Sequence, residues 1–286
     1  MAATTADGTL YGTETTSAVP EETSPSSPTA TPTNATASND TISSTRPTKV
    51  SSTSPLPPPA STSNTTQPLI EYYGDSTIWG TRSGGGGQVA TPAPAAFAAA
   101  LPAANYVVRN EGVSGSTACD LVNGSDGRHA PWPTQMANSK ATYVLANFAI
   151  NDEWKYDLAT YQSCLRSLAR TAKQYGKQMI FETPNPTRDS GPRGLDIHVT
   201  AMKEVASQEG VPVIDQYRYL TAYLNGASPY TICPDGLHPT QDVYLLKGQF
   251  AAKAFLKLVT GSEATGRAAQ RRYKTAPVSQ RLETAK

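Results

Sequence analysis

The sequence predicts an α/β fold, a three-layer α/β/α sandwich in which a central parallel sheet of about five strands lies between helices. Two observations lead to this prediction: short apolar runs alternate with helical patterns, and polar clusters follow several of the runs. Strands that alternate with helices favour a parallel sheet covered on both faces. Ligands of such sheets bind beyond the carboxyl ends of the strands. We therefore expect the functional residues in the polar clusters.

The individual elements follow from apolar periodicity. The five apolar runs, each bounded by turn or polar residues, are residues 69–73, 106–108, 143–150, 179–182 and 211–214. Residues 156–175 carry apolar side chains at spacings of three and four, which predicts an amphipathic helix. Gly176 then ends it, as glycine often does just past a helix. Residues 195–208 show a weaker helical pattern and residues 243–259 a stronger one.

Composition divides the chain into three parts. Residues 1–67 are dominated by Ser, Thr, Pro and Ala, so they bury too little apolar surface to fold and are expected to form a disordered linker. Residues 68–260 form the predicted globular domain, which is long enough for a single core. Residues 261–286 are polar and mildly basic, and we expect a disordered, solvated tail.

Charge and hydropathy exclude some partners. A formal net charge of +1 gives no electrostatic case for a nucleic acid. No stretch is long and apolar enough to predict a membrane span. A Ser/Thr/Pro stalk ahead of a domain is typical of exported or surface-tethered proteins, so we expect an extracellular or cell-surface location. Because no signal-peptide pattern follows Met1, an export signal has been removed or another route is used.

The cysteines allow one internal disulfide. Cys119, Cys164 and Cys233 contain no Cys-x-x-Cys pair, which argues against a zinc or redox site. Cys233 lies close to Asp235 and is either a second nucleophile or half of a disulfide. In an exported protein we expect it to pair with Cys119 or Cys164.

Two distant segments carry the residues of acyl-transfer chemistry. Ser76 follows the first apolar run and is expected to lie on a turn, as a nucleophile. Asp235 precedes His238 by three residues and could hold the imidazole from behind, as in a Ser-His-Asp triad. For His129, in a loop, and His198, facing out from a helix, we expect surface or helix-cap roles.

Such a triad needs donors for the oxyanion. Ser76 provides a backbone N–H at a strand-to-helix turn. Gly115, in the cluster after the second run, could provide another because glycine allows close approach of the substrate; Gly112 is the alternative. The carboxamide of Asn151, after the third run, could provide a third.

Four segments together resemble the SGNH hydrolases, also called the GDSL esterase/lipase family. They are Gly74-Asp75-Ser76, residues 110–115, Ala149-Ile150-Asn151-Asp152 and Asp235-Gly236-Leu237-His238-Pro239. They occur in the family's order and span essentially all of residues 68–260. The resemblance implies a flavodoxin-like fold and a serine esterase that needs no metal or cofactor. It implies catalytic roles for Ser76, Asp235 and His238, and an oxyanion hole formed by Ser76, Gly115 and Asn151.

The chain departs from the family pattern at two positions. Thr77 replaces the usual leucine after Gly-Asp-Ser, and Ala149 replaces the glycine that usually begins the third block. Alanine has less backbone freedom than glycine, so Ala149 bears on how Asn151 is placed. The resemblance also implies structural roles for Asp75, which would fix the nucleophile turn, and for Asp152, which would support the asparagine loop.

For the substrate, we expect small acyl groups such as acetyl, removed from a glycan by a monomer with an open cleft. A short-chain lipase or thioesterase, an acyltransferase, and a non-catalytic carbohydrate-binding module remain as alternatives. Trp79, Trp132 and Trp154 lie near the blocks, where core packing competes with sugar-stacking or acyl-pocket roles. Residues 84–87 are all glycine but lack the Lys and Ser/Thr of a P-loop, so we expect a mobile loop beside Ser76.

Overall fold

The structure, a computed structural model, describes residues 67–102, 105–188 and 194–275. The predicted linker, apart from Gln67, and residues 276–286 of the predicted tail lie outside the described residues. Within the described part of the chain, no helix combines the length and the apolar character needed to cross a bilayer.

A five-stranded parallel sheet forms the centre of the fold, in the order β2-β1-β3-β4-β5. Its strands are β1 (Leu69–Gly74), β2 (Val107–Gly112), β3 (Tyr143–Asn147), β4 (Gln178–Glu182) and β5 (Val213–Ile214). This is the doubly wound order in which the direction of winding reverses between β1 and β3. The predicted fold class is confirmed, and the reversal brings the ends of these two strands to the edge where ligands bind.

Nine α-helices and one short 3₁₀ turn are described around the sheet. The helices are α1 (Ser76–Trp79), α2 (Ala93–Ala100), α3 (Ala118–Asn123), α4 (Trp132–Asn138), α5 (Asp152–Lys155), α6 (Leu158–Gln174), α7 (Leu195–Glu209), α8 (Gln216–Leu224) and α9 (Gln241–Thr275), and the 3₁₀ turn is Pro229–Thr231. The three helices that periodicity predicts correspond to α6, α7 and α9.

Alternation along the strands divides the core between the two faces of the sheet. Val144 and Ala146 of β3 point to one side, where they pack with α3, α4, α6 and α7. Leu145, between them, points to the other side, where it packs with Phe97 of α2 and Phe255 of α9. Successive strand side chains point to opposite faces, so each face has its own helical layer and the sandwich has three layers.

The last helix, α9, continues to Thr275, past residue 260, where the sequence predicts that the globular domain ends. Residues 262–275 include three Ala and three Arg. Ala and Arg have high helix propensity, so a helix already begun can extend through them without an apolar face.

Candidate active site

Ser76 is the first residue of α1, at a sharp turn from β1 into the helix. Asp75 caps this helix: its Oδ1 accepts hydrogen bonds from the Thr77 N–H and the Thr77 hydroxyl, both at 2.8 Å. An aspartate in this position satisfies a backbone donor that the helix leaves unpaired. Asp75 is almost fully buried, as a structural carboxylate fixing the turn should be.

Ser76, His238 and Asp235 form one hydrogen-bonded chain. The Ser76 Oγ lies 3.0 Å from His238 Nε2, and His238 Nδ1 lies 2.9 Å from Asp235 Oδ2. Ser76 and the Asp235–His238 pair are 162 residues apart along the chain, counted from Ser76 to His238. The fold therefore assembles the arrangement in which a base can take a hydroxyl proton while a carboxylate orients it.

The carboxylate of Asp235 is held by backbone donors. Oδ1 accepts from Leu237 N–H at 2.9 Å and His238 N–H at 2.7 Å, and Oδ2 accepts from Gly84 N–H at 2.9 Å. Partial burial opposes ionisation, but the bonds from Gly84, His238 and Leu237 outweigh it and hold the pKa of Asp235 well below its ordinary value. Asp235 is therefore ionised at neutral pH, the state that can hold an imidazole N–H.

The loop after β2 is hydrogen-bonded to the turn before Ser76. Val113 N–H donates to Gly74 O at 2.9 Å, and the Ser116 hydroxyl reaches the same carbonyl at 3.2 Å. Asn151 Nδ2 donates one hydrogen bond to Ser116 O at 2.9 Å. The loops that carry Gly115 and Asn151 are thus joined to each other and to the turn before Ser76.

Gly115 and Gly112 differ in whether their N–H groups are already used. Gly112 N–H donates to the Asn110 side chain at 2.9 Å. Gly115 adopts a φ of 79°, which favours glycine, and its N–H has no acceptor within the described residues. The same holds for Ser76 N–H at the start of α1, within that part of the chain. Gly115 is therefore the better-placed donor of the two glycines.

The sequence comparison with protein families agrees with this geometry. The family model of the GDSL-like lipase/acylhydrolase family matches residues 72–246, more than half of the chain and all the elements from β1 to the start of α9. The chain belongs to the GDSL-like lipase/acylhydrolase family. It is accordingly a serine ester hydrolase of the GDSL, or SGNH, type.

Solved structures of similar fold include the following three. A protein from Parabacteroides merdae described as a GDSL-like lipase is 18% identical, with a TM-score of 0.55 over 66% of this chain and 95% of its own. An acetylxylan esterase from Geobacillus stearothermophilus is 24% identical, with a TM-score of 0.53 over 66% and 93%. An alpha/beta hydrolase enzyme from the metagenome of Lake Arreo, Spain, is 25% identical, with a TM-score of 0.51 over 66% and 93%. No curated protein matches the chain significantly by sequence.

Ala149, where the GDSL-like family usually has glycine, adopts a glycine-like conformation. Its φ is 139°, although it is fully buried and carries a Cβ. Backbone in this region is strained for alanine. The residue that leads into the Asn151 turn thus takes a backbone conformation that suits glycine better than alanine.

Asp152 stabilises the turn that carries Asn151. Its Oδ1 accepts from Ala118 N–H, the first residue of α3, at 2.9 Å. Burial raises the pKa of Asp152 to about 8; the Ala118 hydrogen bond opposes this and the nearby Asp75 carboxylate adds to it. Through this hydrogen bond, Asp152 ties the Asn151 turn to α3.

Two predictions about histidines need correction or qualification. His198 does not face out: it is fully buried, and its Nδ1 lies 3.1 Å from Gly194 O. The helical periodicity around it was too weak to reveal which face is covered. His129 is half-buried between Asp126 (Nδ1 to Oδ2, 2.6 Å) and Glu111 (Nε2 to Oε2, 3.5 Å). Asp126 precedes His129 by three residues, the same offset as in Asp235–His238. The Nε2 atom of His129, however, faces the carboxylate of Glu111, whereas that of His238 faces the hydroxyl of Ser76.

The predicted pairing of Cys233 is wrong. Cys119 and Cys164 form a disulfide between α3 and α6, and Cys233 is a buried free thiol. Spacing in the sequence does not show that α3 and α6 pack side by side. Burial raises the pKa of Cys233 to about 12, so it carries almost no thiolate, which argues against a second nucleophile.

The three tryptophans have different environments. Trp132 is fully buried and donates its indole N–H to Leu168 O at 3.1 Å, so it is a core residue. Trp79 is half-buried at the end of α1, and Trp154 of α5 has 54% of its surface exposed. Of the three, Trp154 is the one with a large exposed face near the asparagine loop.

Residues outside the four family segments, which the sequence did not predict, contact the segment of Asp235 and His238. Asn185, after β4, donates to Leu237 O at 3.3 Å and accepts from the buried Lys247 Nζ at 2.8 Å. The four glycines at residues 84–87 do lie beside the site, since Gly84 and its neighbour Ser83 both contact Asp235. The polar cluster after β4 was the available signal for Asn185; a lone lysine within a helical pattern gave none.

Proposed function

We propose that Ser76 attacks an acyl ester, that His238 takes the serine proton and passes it to the leaving alcohol, and that Asp235 orients His238. The observation that carries this proposal is the continuous hydrogen-bonded chain, with 3.0 Å from Ser76 to His238 and 2.9 Å from His238 to Asp235. An acyl-enzyme forms on Ser76 Oγ as the alcohol leaves. Water then attacks the acyl-enzyme with His238 as base, and the carboxylic acid is released.

The oxyanion is proposed to bind the N–H groups of Ser76 and Gly115 and the side chain of Asn151. Asn151 Nδ2 has two hydrogens, of which one is given to Ser116 O. The other is available for the negative charge that develops on the carbonyl oxygen. Fixed donors of this kind cost no reorganisation during the reaction.

The proposed substrate is a glycan that carries small acyl groups such as acetyl. Two observations support this class. One of the proteins of similar fold is an acetylxylan esterase, and Trp154 presents an exposed ring three residues after Asn151, where a sugar could stack. The Cys119–Cys164 disulfide supports an oxidising, extracellular or cell-surface location for such an enzyme.

A phosphonate that labels activated serines, followed by peptide mass spectrometry, tests the nucleophile. The adduct is expected on Ser76, and it should be absent from Ser76→Ala and from His238→Ala. The exposed Ser114 serves as a matched control, since Ser114→Ala should still be labelled at Ser76. Absence of an adduct in a protein that binds glycan would instead favour a non-catalytic binding module.

A substrate panel tests the glycan proposal separately. Acetylated xylan and p-nitrophenyl acetate are expected to be turned over faster than p-nitrophenyl esters of medium-chain acids. Trp154→Ala should raise KM for acetylated xylan and leave KM for p-nitrophenyl acetate unchanged. Tyr223→Ala, which removes an exposed aromatic ring from α8, is the control. Faster turnover of the longer acyl chains would replace this proposal with a lipase or thioesterase.

A further inference from the structure

The glycine loop, residues 82–87, lies outside the four family segments and contacts Asp235 directly. Gly84 N–H donates to Asp235 Oδ2 at 2.9 Å, and Asp235 N–H donates to the Ser83 hydroxyl at 3.1 Å. The two contacts run in opposite directions, so the loop holds both the backbone and the carboxylate of Asp235. Oδ2 is also the oxygen that lies against His238 Nδ1.

The backbone conformation of residues 84–87 explains why all four are glycine. Gly84, Gly85, Gly86 and Gly87 have φ values of 78°, 87°, 82° and 102°. A Cβ at any of the four would meet nothing within 4 Å. Packing therefore does not demand glycine here; the backbone direction does, because side-chain-bearing residues rarely adopt positive φ.

The ends of the segment around the loop are fixed. Thr81 pairs with Gln88 across the base of the loop, and the Tyr244 hydroxyl donates to Thr81 O at 2.8 Å. Beyond the loop, Thr91 exchanges two hydrogen bonds with Gln241 at the start of α9. Because α9 begins three residues after His238, both anchors come from the element that follows the triad turn.

The same segment also reaches the oxyanion side of the cleft. The Thr81 hydroxyl lies 3.0 Å from the hydroxyl of Ser114, the neighbour of Gly115. The segment from Thr81 to Gln88 thus spans from the oxyanion loop to the carboxylate that orients the base. A loop that served only to reverse the chain would need neither contact.

We propose that Ser83 and Gly84 are positioning residues, which hold Asp235 and, through it, the His238 ring in line with the Ser76 hydroxyl. This inference rests on the proposed triad and extends it to a segment outside the four family blocks. Because Ser83 and Gly84 contact Asp235, we expect them to affect the rate of turnover rather than substrate binding. Loss of these contacts should therefore lower kcat and leave KM unchanged.

Two proline variants form a matched pair. Gly84→Pro removes the N–H that donates to Asp235, while Gly127→Pro imposes the same conflict in φ at an exposed glycine between α3 and α4 whose N–H has no acceptor within the described residues. With p-nitrophenyl acetate, Gly84→Pro should lower kcat about tenfold, the size expected for losing one hydrogen bond to a charged group. Gly127→Pro should stay within about twofold of the unaltered protein, since it loses no such bond.

Ser83→Ala is a second test that leaves the backbone unstrained. It removes only the acceptor for Asp235 N–H, and a loss of about threefold in kcat with no change in KM is expected for one neutral hydrogen bond. Urea unfolding of each variant shows whether the fold is intact.

A double-mutant cycle with Asp235→Asn shows whether the loop acts through Asp235. In the Asp235→Asn protein, Gly84→Pro and Ser83→Ala should cause no further loss of kcat. Equal losses in both backgrounds, or equal losses for Gly84→Pro and Gly127→Pro, would overturn the positioning role while leaving the triad intact. Full activity of Asp235→Asn itself would overturn the proposed triad instead.

Discussion

Reduction of the Cys119–Cys164 disulfide should destabilise the protein by several kcal/mol. The bond closes a loop with a sequence separation of 45 residues between α3 and α6. In the chain-entropy account, a cross-link over a loop of this length removes unfolded-state entropy worth about 4 kcal/mol at 25 °C. Both helices pack on one face of the sheet, so the native state keeps the two cysteines adjacent even when the bond is open.

The measurement is urea unfolding of the unaltered protein with and without dithiothreitol, which changes the cross-link and no side chain. The free energy of unfolding should fall by about 4 kcal/mol on reduction, and the m-value should rise because the reduced unfolded chain is more expanded. In Cys119→Ala/Cys164→Ala, dithiothreitol should have no effect. In Cys233→Ala, which removes the buried free thiol, the effect should persist.

A change below about 1 kcal/mol on reduction would refute the reasoning, because it lies far under the loop-closure value. So would loss of the dithiothreitol effect in Cys233→Ala, which would place Cys233 in the disulfide.

Three further predictions concern buried residues near the site. Ala149→Gly relieves backbone strain of about 1–3 kcal/mol and should leave stability in urea equal or higher, whereas the control Ala146→Gly in β3 should lose about 1–2 kcal/mol. The raised pKa of Asp152, about 8, means that between about pH 4 and pH 8 the folded state keeps a proton that the unfolded state has lost, so this residue's contribution to stability falls as pH rises. Asp152→Asn removes that dependence, and its stability relative to the unaltered protein should improve from pH 5 to pH 8; a pH-independent difference would contradict this. Lys247→Met removes the buried ammonium that donates to Asn185 Oδ1 at 2.8 Å and should lower the free energy of unfolding by about 1–3 kcal/mol, because a buried acceptor is left unsatisfied; an unchanged free energy of unfolding would contradict this.

The apolar strands could be predicted from the sequence because burial on both faces makes them nearly continuous apolar runs. Strand β2 was recognised only at its start. It is the edge strand, and its polar residues Arg109, Asn110 and Glu111 lie in a partly exposed part of the sheet. The short helices α1 to α5 and the helix α8 had no periodicity long enough to detect, since their positions depend on contacts with distant segments.

Some residues of the site could also be predicted from local sequence patterns, whereas others depend on tertiary contacts. Ser76, Asp235 and His238 stand in short local patterns, a strand-to-helix turn and an offset of three residues. That offset did not separate His238 from His129, because the difference lies in what faces Nε2: Ser76 in one case and Glu111 in the other. The disulfide, the burial of His198 and the contact between Gly84 and Asp235 likewise depend on segments that only the fold brings together.

The turnover of p-nitrophenyl acetate by Ser76→Ala, measured beside the unaltered protein, tests the central claim most directly. Ser76 supplies the hydroxyl 3.0 Å from His238, and removing the nucleophile of such a triad costs a factor on the order of 10⁶ in kcat. Activity of Ser76→Ala is expected at the background level, in a protein that unfolds at the same urea concentration as the unaltered one. Turnover in Ser76→Ala equal to that of the unaltered protein would contradict it.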